Sequence, residues 1–421
     1  MKTKTSSRDL DLRQNEVLYT SNVSPFKPSI IKNLIPSGLK LFSFKAGIKK
    51  NSNDLLIVIF DKLVNACALY SQTSTPSAPI IWDKKNNKGN CRVLVVNSGN
   101  ANAHTGTEGL KLINKYVFEL TKKINCKKEE VLVSSTGVIG ELFKSSLIVN
   151  SIRKIHKSKT TNLVKAAQTI MTTDTYPKTS IINVKIQNMK IKIYGFAKGS
   201  GMVNPNMGTM LAYIFIDCFI NKNNLKRLLK DNIEDTFNSI SADSDTSTSD
   251  TIMLFSVSKN KINLKNKKNY NLLSKNLHQL MGNLSSQIIK DGEGVSKIIE
   301  VNIVKAKNFN QAKNIGFSVV NSPLVKTAIS GEDANWGRVV MAIGKSYEKI
   351  NQNKIKVSFG NNIVCKGGQI YKKINYKKLN NYMKKNIIKI EVDLNLGNFS
   401  KTVLGNDLTY NYLKINADYR S

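Results

Sequence analysis

Apolar residues follow two kinds of spacing along the chain, and the first kind indicates strands. Residues 55–60, 93–96 and 211–216 are short, unbroken apolar runs, which are typical of buried strands. Residues 298–306, and then 317–326, alternate apolar and polar positions as strands do. We therefore expect strands in both halves of the chain.

The second spacing is helical. Two segments repeat an apolar residue every three or four positions, which puts these residues on one face of a helix. They are Ile113, Val117, Leu120 and Ile124 in the first segment, and Leu225, Leu229, Ile233, Phe237 and Ile240 in the second. Helices that alternate with strands predict an α/β or α+β layered fold, with the last hundred residues as a smaller lobe. Residues 260–269 are polar and predict a loop.

Composition adds a strong basic charge to this picture. The 421 residues are 41% hydrophobic and carry a formal net charge of +35. Such a charge favours nucleic acid or an anionic membrane as partner. However, the lysines are interleaved with asparagine and isoleucine, and arginines for bidentate base contacts are few. We therefore expect a solvated basic surface that binds neither of these partners. The positive field of this surface would attract acidic amino acids.

The cysteines and the absence of long apolar stretches indicate the compartment. Five cysteines lie far apart without paired spacing, which argues against a zinc site and for a reducing environment. No apolar stretch approaches the roughly 20 residues that span a bilayer. An acidic and hydroxyl-rich segment near Asp243 lacks calcium-loop spacing. We expect a cytoplasmic protein with no metal.

Thr209 is the strongest candidate for chemistry. It follows Gly208, and the preceding Asn204, Pro205 and Asn206 are typical of a turn. A glycine before the threonine lets the hydroxyl approach the preceding carbonyl carbon. A threonine freed at its amide would carry a hydroxyl nucleophile and an amine base on one residue. The alternative is that Thr209 simply begins a strand.

The surrounding motifs decide between these interpretations. The Gly-Thr pair is flanked by Lys198-Gly199-Ser200-Gly201-Met202 and by Met210-Leu211. Further motifs stand before and after this segment. They are Ser135-Thr136-Gly137, Met171-Thr172-Thr173-Asp174-Thr175, Gly331-Glu332-Asp333 and Asn416-Ala417-Asp418-Tyr419-Arg420-Ser421. Together they resemble the glutamate N-acetyltransferases, also called ornithine acetyltransferases. Gly208 stands where that family usually has alanine.

The resemblance implies a fold, an activity and an assembly. The fold is the layered α/β type shared with self-processing aminopeptidases. Self-cleavage between Gly208 and Thr209 would give an alpha chain of residues 1–208 and a beta chain of residues 209–421, assembled as a dimer of cleaved pairs. The activity is acetyl transfer from N-acetylornithine to glutamate through an ester on Thr209. No cofactor is expected, and acetyl-CoA is an alternative donor.

The resemblance also implies roles for individual residues. Thr209 is the nucleophile, and Thr136 and Gly137 form the oxyanion hole. Substrate contacts come from Thr173, Lys198, Thr209, Glu332, Asn416 and Ser421. Two alternatives remain open at this stage, namely an aminopeptidase or amidase of related fold, in which water replaces glutamate, and a basic polyanion-binding protein with an inert Thr209.

Overall fold

The computed structural model describes residues 23–28, 34–204 and 210–418. Gly208, Thr209 and Ser421 lie outside these ranges. The described chain forms two β-sheets with helices packed against them, which confirms the predicted α/β class.

The first sheet has eight strands, all within the first 256 residues. Its strands are β1 (Leu39–Phe44), β2 (Leu55–Tyr70), β3 (Asn90–Asn100), β4 (Val131–Val138), β5 (Lys178–Ile186), β6 (Met189–Lys198), β7 (Leu211–Ile216) and β9 (Thr251–Ser256). They run in the order β4-β3-β2-β9-β7-β6-β5, with β1 paired to β2. Every residue of β7 and of β9 is buried, as expected of strands that are covered on both faces.

Helices cover both faces of this sheet. They are α1 (Ala78–Asn86), α2 (Gly106–Ile124), α3 (Ser145–Lys154), α4 (Leu163–Ile170), α5 (Lys222–Ile233) and α6 (Lys267–Lys290). Helix α2 shows why such segments become helices. Its buried residues Leu112, Ile113, Tyr116, Val117 and Leu120 form one apolar stripe, and Asn125 ends the helix in the left-handed region at φ 55°.

The second sheet has seven strands and is built almost entirely from residues after 298. Its strands are β8 (Ile240–Ser241), β10 (Ile298–Ala306), β11 (Lys356–Phe359), β12 (Asn362–Lys366), β13 (Gln369–Ile370), β14 (Ile387–Asp393) and β15 (Phe399–Asn406), in the order β13-β12-β11-β14-β10-β15-β8. The remaining helices are α7 (Phe309–Val320), α8 (Pro323–Ser330), α9 (Trp336–Gly344), α10 (Tyr376–Met383) and α11 (Tyr410–Ala417).

Several predicted elements have the observed bounds, and others do not. Strands β2 and β3 extend beyond the predicted runs at 55–60 and 93–96, and the loop predicted at 260–269 ends earlier, because α6 begins at Lys267. Strands β7 and β10 match the predicted ranges, and α2 ends at the predicted residue. The strand predicted at 317–326 is wrong, because those residues belong to α7 and α8, and Ser322 caps the start of α8 before Pro323. Helix α5 ends at Ile233, so Phe237 and Ile240 reach the same core from a 3₁₀ turn and from β8. In the described residues no helix is long and apolar enough to cross a membrane.

Candidate active site

A cavity of about 270 Å³ opens where the ends of several elements meet. Its walls come from the end of β4, the loop before β5, the end of β6, the loop before β9, the turn after α6, and α11. Five residues that the sequence assigned to chemistry line it together: Thr136, Gly137, Thr173, Lys198 and Asn416. Chain segments that are far apart in sequence therefore converge on one site.

Gly137 occupies a backbone position that only glycine fits. Its φ is +132°, and a Cβ there would lie 2.3 Å from the carbonyl carbon of Gly99 on the neighbouring strand β3. The close approach holds the end of β4 tightly against the end of β3. Thr136, just before it, is 3% exposed. A hydroxyl and backbone amides fixed in this way suit the stabilisation of a developing negative charge.

Lys198 brings a positive charge to the cavity wall. The residue ends β6 and is 2% exposed, and its Nζ donates to Thr172 Oγ1 at 2.7 Å and to Thr136 Oγ1 at 3.3 Å. Among the described residues it forms no ion pair with a carboxylate. Burial lowers the pKa of the Lys198 ammonium, and the carboxylate of Asp174 opposes that effect. Because a buried unpaired charge is costly, this ammonium is suited to an anionic ligand.

The glycines around Ser200 make room for neighbouring polar groups. Thr173 Oγ1 and Ser200 Oγ share a hydrogen bond of 2.7 Å. A Cβ on Gly201 would lie 2.5 Å from the carboxylate of Glu293, so a larger residue would push this carboxylate away. Close packing against Glu293 at the cavity wall thus explains the second glycine of the Lys-Gly-Ser-Gly motif.

Glu293 is a cavity residue that the sequence reasoning missed. It stands between Gly292 and Gly294 in the turn after α6, and its Oε2 accepts a hydrogen bond of 2.9 Å from Asn416 Nδ2 on α11. Gly294 has φ +67°, and a Cβ there would lie 2.5 Å from the backbone nitrogen of Tyr412. The signal in the sequence is an acidic residue flanked by glycines directly after a long helix.

Glu332, predicted as a substrate contact, does not line this cavity. It lies in the turn after α8 at φ 59°, and its side chain is 44% exposed. Its Oε1 pairs with Lys297 Nζ at 3.0 Å. The structure therefore offers Glu293, and not Glu332, as the carboxylate of the cavity.

Thr209, Gly208 and Ser421 lie outside the described residues, but the structure describes the chain up to Asn204 and again from Met210, on the two sides of the predicted cut. Met202 lines the cavity. On the other flank, Met210 donates its amide to Asp250 Oδ1 at 2.7 Å, and Leu211 pairs with Lys198 in the β6–β7 ladder. Among the described residues nearest the predicted cut, Met202 therefore lies in the cavity wall, and Leu211 lies beside the wall residue Lys198.

Asp243 holds the segment that leads to the predicted cut. Its Oδ2 accepts from the Met202 amide at 2.5 Å, and its Oδ1 accepts from the Val203 amide at 2.9 Å. Burial raises the pKa of Asp243 to about 6, although these amides oppose the rise.

In the described part of the chain, no three His, Cys, Asp or Glu side chains cluster as metal ligands.

The end of β4 offers hydroxyl and amide donors, and Lys198 and Glu293 add a buried ammonium and a carboxylate to the same cavity. Inside a mixed α/β fold, these groups define a small-molecule enzyme site suited to acyl transfer. The chain belongs to the ArgJ family, whose model matches residues 40–421. This assignment makes it an enzyme of the expected acyltransferase class in arginine biosynthesis.

Two relatives illustrate the extent of the match, and both are named arginine biosynthesis bifunctional protein ArgJ. The protein of Bartonella henselae is 41% identical over 391 residues, 91% of this chain and 95% of its own length. That of Bradyrhizobium diazoefficiens is 39% identical over 412 residues, 96% of this chain and 100% of its own.

Solved structures of similar proteins were also found. The arginine biosynthesis bifunctional protein argJ of Bacillus halodurans is 34% identical, covers 50% of this chain and 100% of the solved chain, and has a TM-score of 0.47. The ornithine acetyltransferase of Mycobacterium tuberculosis, complexed with ornithine, is 27% identical, covers 40% and 92%, and has a TM-score of 0.37.

Proposed function

We propose that the chain transfers the acetyl group of N-acetylornithine to glutamate, giving ornithine and N-acetylglutamate. One observation carries the proposal. One cavity is lined by residues that the resemblance assigned either to the oxyanion hole or to substrate binding, namely Thr136, Gly137, Thr173, Lys198 and Asn416. A volume of about 270 Å³ suits an amino-acid derivative.

The first step of the proposal is self-cleavage. The Thr209 hydroxyl attacks the Gly208 carbonyl carbon, the amide becomes an ester, and water hydrolyses this ester to leave a carboxylate on residue 208 and a free amine on Thr209. The two products are residues 1–208 and 209–421. Strand β6 of the first product pairs with β7 of the second, which supports a cut that leaves them associated.

The second step is the acetyl transfer. Thr209 Oγ attacks the acetyl carbonyl of N-acetylornithine, its α-amine takes the hydroxyl proton, and ornithine leaves with a proton on its nitrogen. The amine of glutamate then attacks the acetyl ester and restores the Thr209 hydroxyl. In both half-reactions the donors at Thr136 and Gly137 would stabilise the oxyanion.

Charge complementarity supports this choice of substrates. Both amino acids carry an α-carboxylate, which the buried Lys198 ammonium would bind. N-acetylornithine also carries a side-chain ammonium, and we propose that Glu293, in place of Glu332, receives it. Asn416, hydrogen-bonded to Glu293, would orient that carboxylate. We retain Ser421 as a proposed contact.

The assembly and the compartment belong to the same proposal. We propose a dimer of cleaved pairs in the cytoplasm, without nucleic acid or membrane as partner. All five cysteines are free thiols, as befits a reducing compartment.

The test uses the purified full-length protein and its Thr209→Ala variant. Mass spectrometry should find two chains that divide between residues 208 and 209 in the wild type, and one chain in the variant. With N-acetylornithine and glutamate, the wild type should release equal amounts of ornithine and N-acetylglutamate. Acetate without N-acetylglutamate would indicate an amidase instead. Replacing N-acetylornithine with acetyl-CoA tests the alternative donor.

A further inference from the structure

Behind the cavity lies a buried charge cluster of three residues, Asp174, Lys178 and Asp291. Lys178 Nζ lies 2.7 Å from Asp174 Oδ1 and 2.5 Å from Asp291 Oδ2. All three side chains are 0% exposed. None of the three lines the cavity, so the acetyl-transfer chemistry proposed above does not use them directly.

Asp174 holds the first wall of the cavity. Its Oδ2 accepts a hydrogen bond of 3.0 Å from the amide of Thr172. The hydroxyl of Thr172 in turn accepts a hydrogen bond from the Lys198 ammonium. Its Oδ1 accepts one of 2.7 Å from the amide of Gly199, next to Lys198. One carboxylate thus fixes the backbone on both sides of the cavity ammonium.

Asp291 belongs to the second wall. It directly follows α6 and precedes Glu293, the cavity carboxylate, by two residues. Its carboxylate accepts from the Thr175 amide at 2.9 Å and also from the Thr175 hydroxyl. Lys178, between the two aspartates, therefore links the loop around Thr172 to the turn that holds Glu293 by two ion pairs, alongside the hydrogen bonds from Thr175 to Asp291.

Asp174 and Lys178 favour their charged forms in spite of burial, whereas burial raises the pKa of Asp291 against the opposing effect of Lys178. Burial raises the pKa of Asp174, but Lys178, Lys198 and the Gly199 amide outweigh it and hold that pKa well below its usual range. Burial lowers the pKa of Lys178, and the two aspartates more than offset it. Buried ion pairs are weak sources of stability, since apolar replacements of similar volume are often neutral or better. Fixed geometry is the more specific consequence of such an arrangement.

We propose that Lys178 is a positioning residue for the acyl transfer, which holds the Thr172–Asp174 loop and the Asp291–Glu293 turn at a fixed separation. The Lys198 ammonium and the Glu293 carboxylate then meet a substrate without rearrangement. This inference rests on the proposed function for its kinetic consequence, but not for its structural one.

The experiment compares Lys178→Met with a matched control, Lys401→Met. Lys401 is also a buried lysine in an ion pair, with a side chain 2% exposed and its Nζ 2.6 Å from Asp235 Oδ1, but it lies on β15 and does not line the cavity. Each variant is measured by amide hydrogen exchange without substrate, and by steady-state acetyl transfer.

In Lys178→Met, exchange should accelerate selectively at residues 171–175, 198–201 and 291–294. kcat/KM for N-acetylornithine should fall on the order of 100-fold, since a misplacement of about 1 Å has that effect. Lys401→Met should change neither measurement in this region. Equal acceleration throughout both variants, or unchanged exchange at the cavity segments, would overturn the proposal.

A second variant covers the case in which Lys178→Met does not fold. The double variant Lys178→Met with Asp291→Asn removes one charge of each sign, so the cluster keeps the net charge of the wild type while both ion pairs of Lys178 are lost. It should show the same local acceleration of exchange. If the wild type transfers no acetyl group, the proposed function fails, yet the exchange result still decides the role of Lys178.

Discussion

Lys198 is a buried ammonium held by hydroxyls, and its charge depends on more distant groups. The charged groups that face it are Lys49, Asp174, Lys178, Asp250 and Glu293. Burial lowers the pKa of Lys198, so its positive charge disappears at a lower pH than for an exposed lysine. Binding of a substrate carboxylate should therefore weaken on the alkaline side.

Asp174→Asn should move this alkaline limb to lower pH. The Asp174 carboxylate stabilises the ammonium form of Lys198, so its removal favours the neutral amine and lowers the pKa further. The amide oxygen of asparagine can still accept from Gly199. The measurement is the pH profile of kcat/KM for N-acetylornithine, with the exposed Asp61→Asn as control. An alkaline limb that stays in place would show that Lys198 does not control it.

Thr136→Ala should reduce turnover more than substrate binding. An oxyanion donor acts mainly in the transition state, and the loss of one is worth on the order of 10²–10³ in kcat. Thr136→Ser keeps the hydroxyl and is the matched control, which should retain most of the activity. Steady-state kinetics of both variants test this. A rise in KM alone would make Thr136 a binding residue.

Glu293→Gln and Glu332→Gln separate the two candidate carboxylates. The first removes the negative charge of the cavity and should raise KM for N-acetylornithine about tenfold, which corresponds to about 1.4 kcal/mol. The second removes a half-exposed ion pair with Lys297, outside the cavity, and should leave the kinetics within experimental error. The reverse order of effects would return the substrate contact to Glu332.

At the scale of elements, the sequence predicted correctly those strands and helices whose burial pattern is visible in their own residues. The run of β7 is buried on both faces and reads as unbroken apolar residues, and α2 carries a single stripe. Helix α7 misled the prediction because its wide buried face, with Ile315, Phe317, Val319 and Val320, also produces apolar residues at alternate positions. Packing against β10 and β15 decides there whether the segment forms a helix or a strand.

The candidate site was predictable only in part, for a related reason. Thr136, Thr173 and Lys198 stand in short motifs whose resemblance to a family is visible in the sequence. Glu293 acquires its place through contact with Asn416, 123 positions further along the chain. Such a contact arises from the packing of a turn against α11, and no local spacing encodes it.

Helix α11 supplies the prediction at this scale. None of its residues is buried, yet Asn416 reaches the cavity from it. Deletion of residues 418–421 should leave self-cleavage intact, because that reaction depends on the segment around Thr209. Acetyl transfer should fall sharply, through loss of the proposed Ser421 contact and a less firmly held Asn416. The assays are chain mass and steady-state kinetics, and wild-type kinetics would remove both residues from the binding site.

At the scale of the whole molecule, the proposed cut falls inside a shared core. One apolar cluster combines Ile193 of β6 with Ile214 of β7 and Leu225 of α5, and Tyr194 stacks on Phe215 with ring centroids 5.3 Å apart. These contacts join residues on both sides of position 208. Salt that screens charges does not weaken apolar burial of this kind, whereas it does weaken the repulsion within a chain of net charge +35.

The two cleaved pieces should therefore remain together at high salt and separate only in denaturant. In about 1 M salt the Debye length is about 3 Å, so surface charges neither attract nor repel the two pieces strongly. Burial of the shared apolar core persists at this salt concentration. Affinity capture of a tag on residue 1 should retain residues 209–421 at low and at high salt, and lose them in guanidinium chloride. The uncleaved Thr209→Ala chain is the control, since its halves stay linked in denaturant. Release of the second piece by salt alone would mean that charge, and not the common core, holds the pieces together.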